Sequence, residues 1–438
     1  MNDRQIWKRL LTIFGGMLLA WLLIALFLDP APGDDSDLAL PEREVDPAQN
    51  PYPEIREISL SEEEVKEIWQ INSMVEGQEP FEETTVETLL ERHAEALERF
   101  GRYATMRDWQ QDLPLVAGAD ISFQLRWVRL AMLKRAESTW LASQGKREAA
   151  IESALSILKF AAGLRASEGP LLTTFMADSI STTGAKALAD LLERCELTSD
   201  ELAHLATKLD DPIFFRNDLE TMLRTDYAFT VATSMDLATF NRVVRPILSK
   251  TSAWLPQSLG YKPNRTRSML ADYHRVAIRA SNGDCRSFIA GTKAAIPSGW
   301  RTKWTNILTG NSLGFEMCEM YSVGNESYTK APKRLFSTQA QHSLLRVCVA
   351  MKRYRLDRGD WPTTLNALVP AYLEAIPTDP MDGMPLRYNS ERRIVYSVGI
   401  DFVDDGGLAP DKQGTFGDRT EIIIELDPAS PEKEAASD

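Results

Sequence analysis

Residues 10 to 28, LLTIFGGMLLAWLLIALFL, run for 19 positions without a charge. As a helix they reach about 28 Å, close to the ~30 Å hydrocarbon layer of a bilayer. A stretch of this length, apolar on every face, is expected to form a transmembrane helix rather than one stripe of an ordinary core. Arg4, Lys8 and Arg9 precede it, opposed only by Asp3, whereas Asp29, Asp34, Asp35 and Asp37 follow. By the positive-inside preference, residues 1–9 are a cytoplasmic tail and everything after Leu28 is exported. A cleaved signal is the rival, but it carries a shorter apolar region and a small-x-small site, which FLDPAPGDD does not offer. The implied location is the bacterial inner membrane, crossed once, with the bulk of the chain in the periplasm.

At 438 residues the chain exceeds one ordinary core, so several folding units are expected. Its formal charge of −14 argues against nucleic acid or an anionic lipid surface as a partner of the whole chain, because both need a concentrated positive face. Cys195, Cys285, Cys318 and Cys348 are too sparse for a zinc ribbon or a CxxC pair. In an exported chain one disulfide is permitted, with Cys285 and Cys318 the candidate pair; four buried thiols are the alternative.

Residues 29–60 are rich in Pro and Asp with no apolar period, and read as an acidic spacer that lifts the folded part off the membrane. Ser61 and Glu64 have capping-box spacing and open the first soluble helix. From there to about residue 330 the pattern is helical. Leu89, Leu90, His93, Leu97 and Phe100 form one buried stripe. Further helices are expected at 122–143, 147–165, 170–194, 199–209, 215–232, 266–281 and 284–294, the fourth opened by Thr198 and Glu201. Short breaks such as SQGK and ASEGP imply stacked helical hairpins, without the signature residues of a named repeat.

Catalytic signatures are missing: no HExxH, GxSxG, glycine-rich phosphate loop or EF-hand spacing occurs. His93, His204, His274 and His342 fall on separate expected helices, so a histidine metal site is not indicated. Ser143 with Lys146 and Ser156 with Lys159 have SxxK spacing but lack the partner KTG element. Trp109, Trp127, Trp140, Trp300 and Trp304 read as core anchors, or alternatively as stacking platforms in a polymer-binding groove.

After residue 336 the chain changes character. A helix presents Leu344, Val347, Ala350, Met351 and Tyr354 on one face and stops at Gly359. RRIVYSVG alternates as a half-buried strand, TEIIIEL supplies another, and between them a loop carries Asp401, Asp404 and Asp405. By residue type alone the spacing D-x-x-D-D-G-G reads either as an ion site or as a solvated turn. The stretches YRLDRGDWPTTLNALV, YLEAIPTDPMDGMPLRY and VYSVGIDFVDDGG together resemble the globular head of the major pseudopilins of type II secretion, over residues 337–427. In that family the loop after the Tyr-Ser-x-Gly strand binds calcium. The resemblance therefore implies Ca2+ near Asp401, Asp404 and Asp405, with the Val398 carbonyl. The processing site of true pseudopilins is absent, and about 300 residues separate the apolar helix from the head, so filament assembly is not expected.

The expected fold is mainly α with a small α+β C-terminal domain. Its parts are a cytoplasmic tail (1–9), a transmembrane helix (10–28), a linker (29–60), an irregular helical-hairpin array (61–330), a pseudopilin-like helix plus antiparallel sheet (337–427) and a disordered tail (428–438). The expected role is a non-catalytic scaffold for protein partners in the envelope, linked to secretion. The competing reading is an envelope hydrolase acting on a polymer, which requires a deep cleft with two converging carboxylates.

Overall fold

The computed structural model describes residues 3–111, 123–215, 218–236, 241–242, 260–295, 305–306, 309–320, 326–407 and 422–426. Over these residues the chain is mainly helical, with one small antiparallel sheet. The tail at 428–438 and both Trp300 and Trp304 lie outside the described residues.

The apolar N-terminus forms one helix, α1 (Asp3–Phe27). Leu10, Leu11, Phe14, Met17, Leu19 and Phe27 on it are exposed. The side chains of Trp21, Leu22, Ile24, Ala25 and Leu26 lie outside the described set. Among the described residues no helix is long and apolar enough to cross a membrane.

The segment expected to be a free spacer is instead laid along the body. Both Asp29 carboxylate oxygens accept the first amides of α11 (Pro263–Ala280), from Asn264 at 3.0 Å and Arg265 at 3.1 Å. A carboxylate there satisfies orphan N–H groups and faces the positive end of the helix dipole. Farther along the same helix, Asp35 takes Arg267 in a two-pronged pair at 2.6 and 2.7 Å and accepts the Tyr227 hydroxyl. Hydrogen bonds from Arg267 and Tyr227 outweigh the cost of burial and hold the Asp35 carboxyl below the ordinary carboxylate range. Asp37 pairs with Arg275 at 2.7 Å, and Leu38 is buried against Tyr227, Tyr261 and Leu270. Toward the end of the segment, α2 (Tyr52–Arg56) buries Tyr52 and Ile55 beside Trp127. Asp–Arg pairing and two apolar contacts, rather than a helical period, keep this strap in place.

The helical array begins with α3 (Glu62–Val75), where Ser61 and Glu64 close a capping box. The stripe through residues 89–100 is buried as expected, but it is split at His93 into α4 (Glu83–Arg92) and α5 (Ala94–Tyr103). The long helices α6 (Gln124–Ser143), α7 (Arg147–Arg165) and α8 (Leu171–Arg194) pack side by side, followed by α9 (Ser199–Leu209), whose Thr198–Glu201 capping box is also formed. Then come α10 (Leu219–Met235), α11, α12 (Cys285–Ala295) and α13 (Ser312–Met320).

Gly163 on α7 sits under the Trp109 indole, which meets the Phe160 ring edge to face at 5.0 Å and donates to the Met106 carbonyl at 3.0 Å. A Cβ at Gly163 would lie 2.4 Å from two indole atoms, inside contact distance. Gly163→Ala is expected to cost roughly 1–3 kcal/mol by overpacking. A urea midpoint unchanged from wild type would show that the indole has room to move.

The final helix, α14 (Glu326–Arg358), is 33 residues long and contains the boundary expected between array and head. Its first half, with Ala331, Leu335 and Phe336, packs with Leu219, Tyr273 and Phe288 of the array. Its second half, from Leu344 to Met351, shares one core with α7 and α8 and with Val395 of the sheet and the flanking Leu386 and Leu426. α14 therefore packs with both the helical array and the C-terminal sheet. At the end of α14, Gly359 takes φ +81° and donates its amide to the Arg355 carbonyl.

The sheet has order β1 (Arg387–Asn389), β2 (Ile394–Ser397), β3 (Ile422–Glu425), with Arg387 opposite Tyr396 and Val395 opposite Ile424. The central strand was expected to be half-buried but is buried on both faces. Val395 lies in the core shared with α14, and the returning loop covers the other face, bringing Gly407, at φ +79°, against Tyr396 and Ile394.

Candidate functional site

The acid-rich end of the sheet is organised by Arg387 on β1. Its guanidinium donates to Asp379 at 2.8 Å and to the two oxygens of Asp382 at 2.6 and 3.2 Å, and lies 3.4 Å from Asp404. Burial works against the Arg387 charge, but Asp382, Asp379 and Asp404 more than offset it and raise its pKa above the ordinary guanidinium value. Asp379 is fully buried. Besides Arg387, its carboxylate accepts the amides of Met381 and Val398 and the Ser397 hydroxyl, at 2.8–3.0 Å. Burial raises the Asp379 pKa despite these bonds. Asp382 moves the other way: burial raises it, but Arg387 and the Met384 amide outweigh burial and lower it.

The turn that carries Asp379 and Asp382 is seated on α12. The amides of Cys285 and Arg286, the first of that helix, donate to the carbonyls of Pro380 and Met381 at 2.9 and 3.0 Å. These are the donors a helix leaves unpaired at its start. The following loop is seated on the same helix. Arg286 donates to the Phe402 carbonyl at 2.6 Å and lies over the Phe402 ring at 5.3 Å, with Lys333 over the ring at 5.9 Å. Phe402 has φ +63°, so this latch holds a non-glycine residue in a left-handed conformation.

Each residue expected at the ion site is placed within this frame. Val398 is buried and its amide is bound to Asp379. Asp401 accepts the Val403 amide at 3.2 Å. Asp404 accepts the Tyr396 hydroxyl at 3.0 Å and the Gly406 amide at 3.1 Å, besides facing Arg387. Asp401, Asp404 and Asp405 are all exposed. Among the described residues no three acid, histidine or cysteine side chains are arranged to hold a metal ion. Of the three carboxylates the resemblance assigned to calcium, Asp401 and Asp404 are turned onto local amides, a tyrosine and an arginine. The residues that organise the site, Asp379, Asp382 and Arg387, were not singled out by sequence. Their signal was the run TDPMDGMPLR, two acids bracketing a Pro/Gly turn with a cation entering the next strand.

The other candidates do not converge. Ser143 and Ser156 donate to the carbonyls of Trp140 and Ser153, while Lys146 covers the Trp140 ring and Lys159 faces Glu152, so neither serine addresses its lysine. His204 is on the surface beside Glu152, His274 is buried against Asp226, His342 against the Leu209 carbonyl, and His93 between Glu64 and Glu67. Trp109 and Trp127 are core residues. All four cysteines are free thiols, which overturns the Cys285–Cys318 pairing. Cys285 belongs to the cluster around Phe288 whereas Cys318 packs with that around Leu270, and burial pushes both thiols up to about 12. A hollow of about 610 Å3 between α2 and α5 is lined by Glu54, Glu57, Glu95 and Glu98, but it is wide open. Glu54 there is held by Arg102 and the Tyr103 hydroxyl, and Glu95 by Arg99.

No family model matches the chain, and neither a curated protein nor a solved structure matches it.

Proposed function

We propose that this chain is a membrane-anchored, exported scaffold of the bacterial envelope, non-catalytic, with a pseudopilin-like head docked onto a helical array and a link to secretion. The observation that carries the reading is where its chemically capable groups are used. Asp401, Asp404, Ser143, Ser156 and the four histidines singled out by sequence are engaged in local or packing contacts, and Glu54 and Glu95 in the hollow between α2 and α5 face arginines across an open surface rather than a closed cleft. A hydrolase of polymers would need two carboxylates converging on an enclosed bond. The anchor rests on the uncharged run of residues 10–28 and on the exposed apolar side chains of α1. The strap from Asp29 to Asp37 would then hold the array directly against the membrane helix rather than at the end of a tether.

The calcium ion implied by the pseudopilin resemblance is not needed for this reading, because Arg387 supplies a positive charge at Asp404, one of the three acids assigned to the ion. Two measurements test the proposal. The full chain is expected to stay with membranes after alkaline carbonate extraction and to be digested by protease added to spheroplasts. Crosslinking in intact membranes is expected to give discrete adducts with other envelope proteins. Carbonate-soluble protein would remove the anchor, and recovery of uncrosslinked chain alone would remove the scaffold.

A further inference from the structure

A second hollow, of about 450 Å3, lies over the contact between α3 and α6. Its floor is apolar, from Leu60, Val65 and Leu125, and its walls carry Lys66, Arg126 and Arg129. Three cations face a single lining carboxylate, Glu62, so the local balance is opposite to the −14 of the chain. Arg126 is fixed to the wall by its bond to the Ile58 carbonyl at 2.7 Å. Among the described residues no acidic side chain pairs with Lys66 or Arg129.

One turn beyond Val65 on α3, Trp69 is 51 % exposed, and Leu125 across the hollow is 50 % exposed. Two large apolar side chains left open beside two guanidinium groups have the composition of an interface hot spot, where Trp and Arg dominate. Apart from Leu60, the lining of the hollow comes from two packed helices, α3 and α6, so a segment lying along their seam meets residues of both.

We infer that the groove between α3 and α6 docks an acidic, amphipathic segment of a partner protein. Carboxylates of the segment meet Lys66, Arg126 and Arg129, and its apolar face lies on Leu60, Val65 and Leu125 with Trp69 closing one side. Desolvating the indole against the partner's aliphatic side chains supplies the apolar part of the affinity, and the cations select the sign of the partner. The inference rests on the scaffold reading and names the chemistry of one of its partners.

The test uses the purified full chain in nanodiscs and a fluorescein-labelled helical peptide of alternating Leu and Glu patches, with a counterpart in which Lys replaces Glu. The Glu peptide is expected to bind with an anisotropy change that weakens as salt is added, and the Lys peptide to bind about tenfold or more weakly. Reversing both unpaired cations, Lys66→Glu with Arg129→Glu, is expected to cost the Glu peptide about tenfold or more in affinity. Leu125→Ser removes the apolar floor without touching charge and is expected to weaken binding as well. Equal binding of the two peptides, binding unchanged by the charge reversal, or no binding of the Glu peptide overturns the inference. A blue shift of Trp69 emission in phosphatidylglycerol but not phosphatidylcholine nanodiscs, without peptide binding, assigns the surface to lipid and likewise overturns it. Lost peptide binding with membrane topology intact sinks the groove alone. A carbonate-soluble chain that still binds the Glu peptide sinks the anchor alone.

Discussion

Replacing Asp178 with asparagine is expected to make the protein lose more stability than the wild type on acidification between about pH 6 and pH 4. Asp178 lies on α8, buried between Arg165 of α7 at 3.4 Å and the Thr338 hydroxyl of α14 at 3.4 Å, with Arg334 also contributing positive charge. Among the described residues, one of its carboxylate oxygens and the Arg165 Nε have no hydrogen-bond partner. Burial outweighs the nearby cations and pushes the Asp178 carboxyl from its ordinary 3.8 up to about 6. The native state then keeps this proton where the unfolded chain has lost it. Its contribution to stability is fully present below pH 3.8 and is lost as pH rises through 6, in total about 3 kcal/mol.

One turn along α14 from Thr338, His342 does the opposite. Burial, with Arg346 and Arg165 adding repulsion, lowers it from 6.5 to about 4 against the favourable Leu209 carbonyl. Its contribution is present above pH 6.5 and is lost as pH falls toward 4, again about 3 kcal/mol. The two slopes oppose each other over the same interval and share Arg165 as a neighbour. Asp178→Asn leaves the His342 slope alone, so stability falls with acid. His342→Gln leaves the Asp178 slope alone, so stability rises with acid. Urea unfolding across that interval, read as wild type minus variant to cancel the remaining groups, gives difference curves of opposite sign. Parallel curves for all three proteins would mean that neither group is desolvated as the packing of α7, α8 and α14 requires.

What could be read in the sequence was what is fixed within one or two helical turns. Ser61 with Glu64 and Thr198 with Glu201 close real capping boxes because the partners of a cap are three residues apart. The left-handed stop at Gly359 is equally local. The strap failed to announce itself because its partners are remote. Asp35 and Arg267 are 232 positions apart, and Asp37 and Arg275 are 238 apart, so Asp29 to Asp37 carried only composition, which is that of a solvated linker. The double burial of β2 was hidden for the same reason, since one of its faces is covered by a helix and the other by a loop that returns after it. At the acidic loop the counter-charge beside Asp404 was not legible in the sequence. Asp401 and Asp404 were visible as a cluster, whereas the pairing of Asp379 with Val398, 19 positions away, and of Arg387 with three separate acids depends on the β1–β2 register.

That counter-charge sets the second large effect. Arg387→Met is expected to destabilise the protein by roughly 3–5 kcal/mol, because removing one partner leaves the others buried without compensation. The Asp379 side chain is 0 % and that of Asp382 4 % exposed, so neither can recover its charge in water without opening the turn that α12 holds through Cys285 and Arg286. Asp404 is half in solvent and contributes little of this cost. Adding Asp379→Asn and Asp382→Asn to Arg387→Met is expected to recover part of the loss, since an uncharged turn no longer needs the guanidinium. Thermal melting of the wild type with calcium and with chelator completes the argument. If Arg387 is the charge that closes the loop, the two midpoints coincide, and calcium raises the melting point only in Arg387→Met, where the acids are left without their cation. A calcium-dependent rise in the wild type that disappears in Asp401→Ala and Asp404→Ala would instead return the loop to the ion and reduce Arg387 to a bystander.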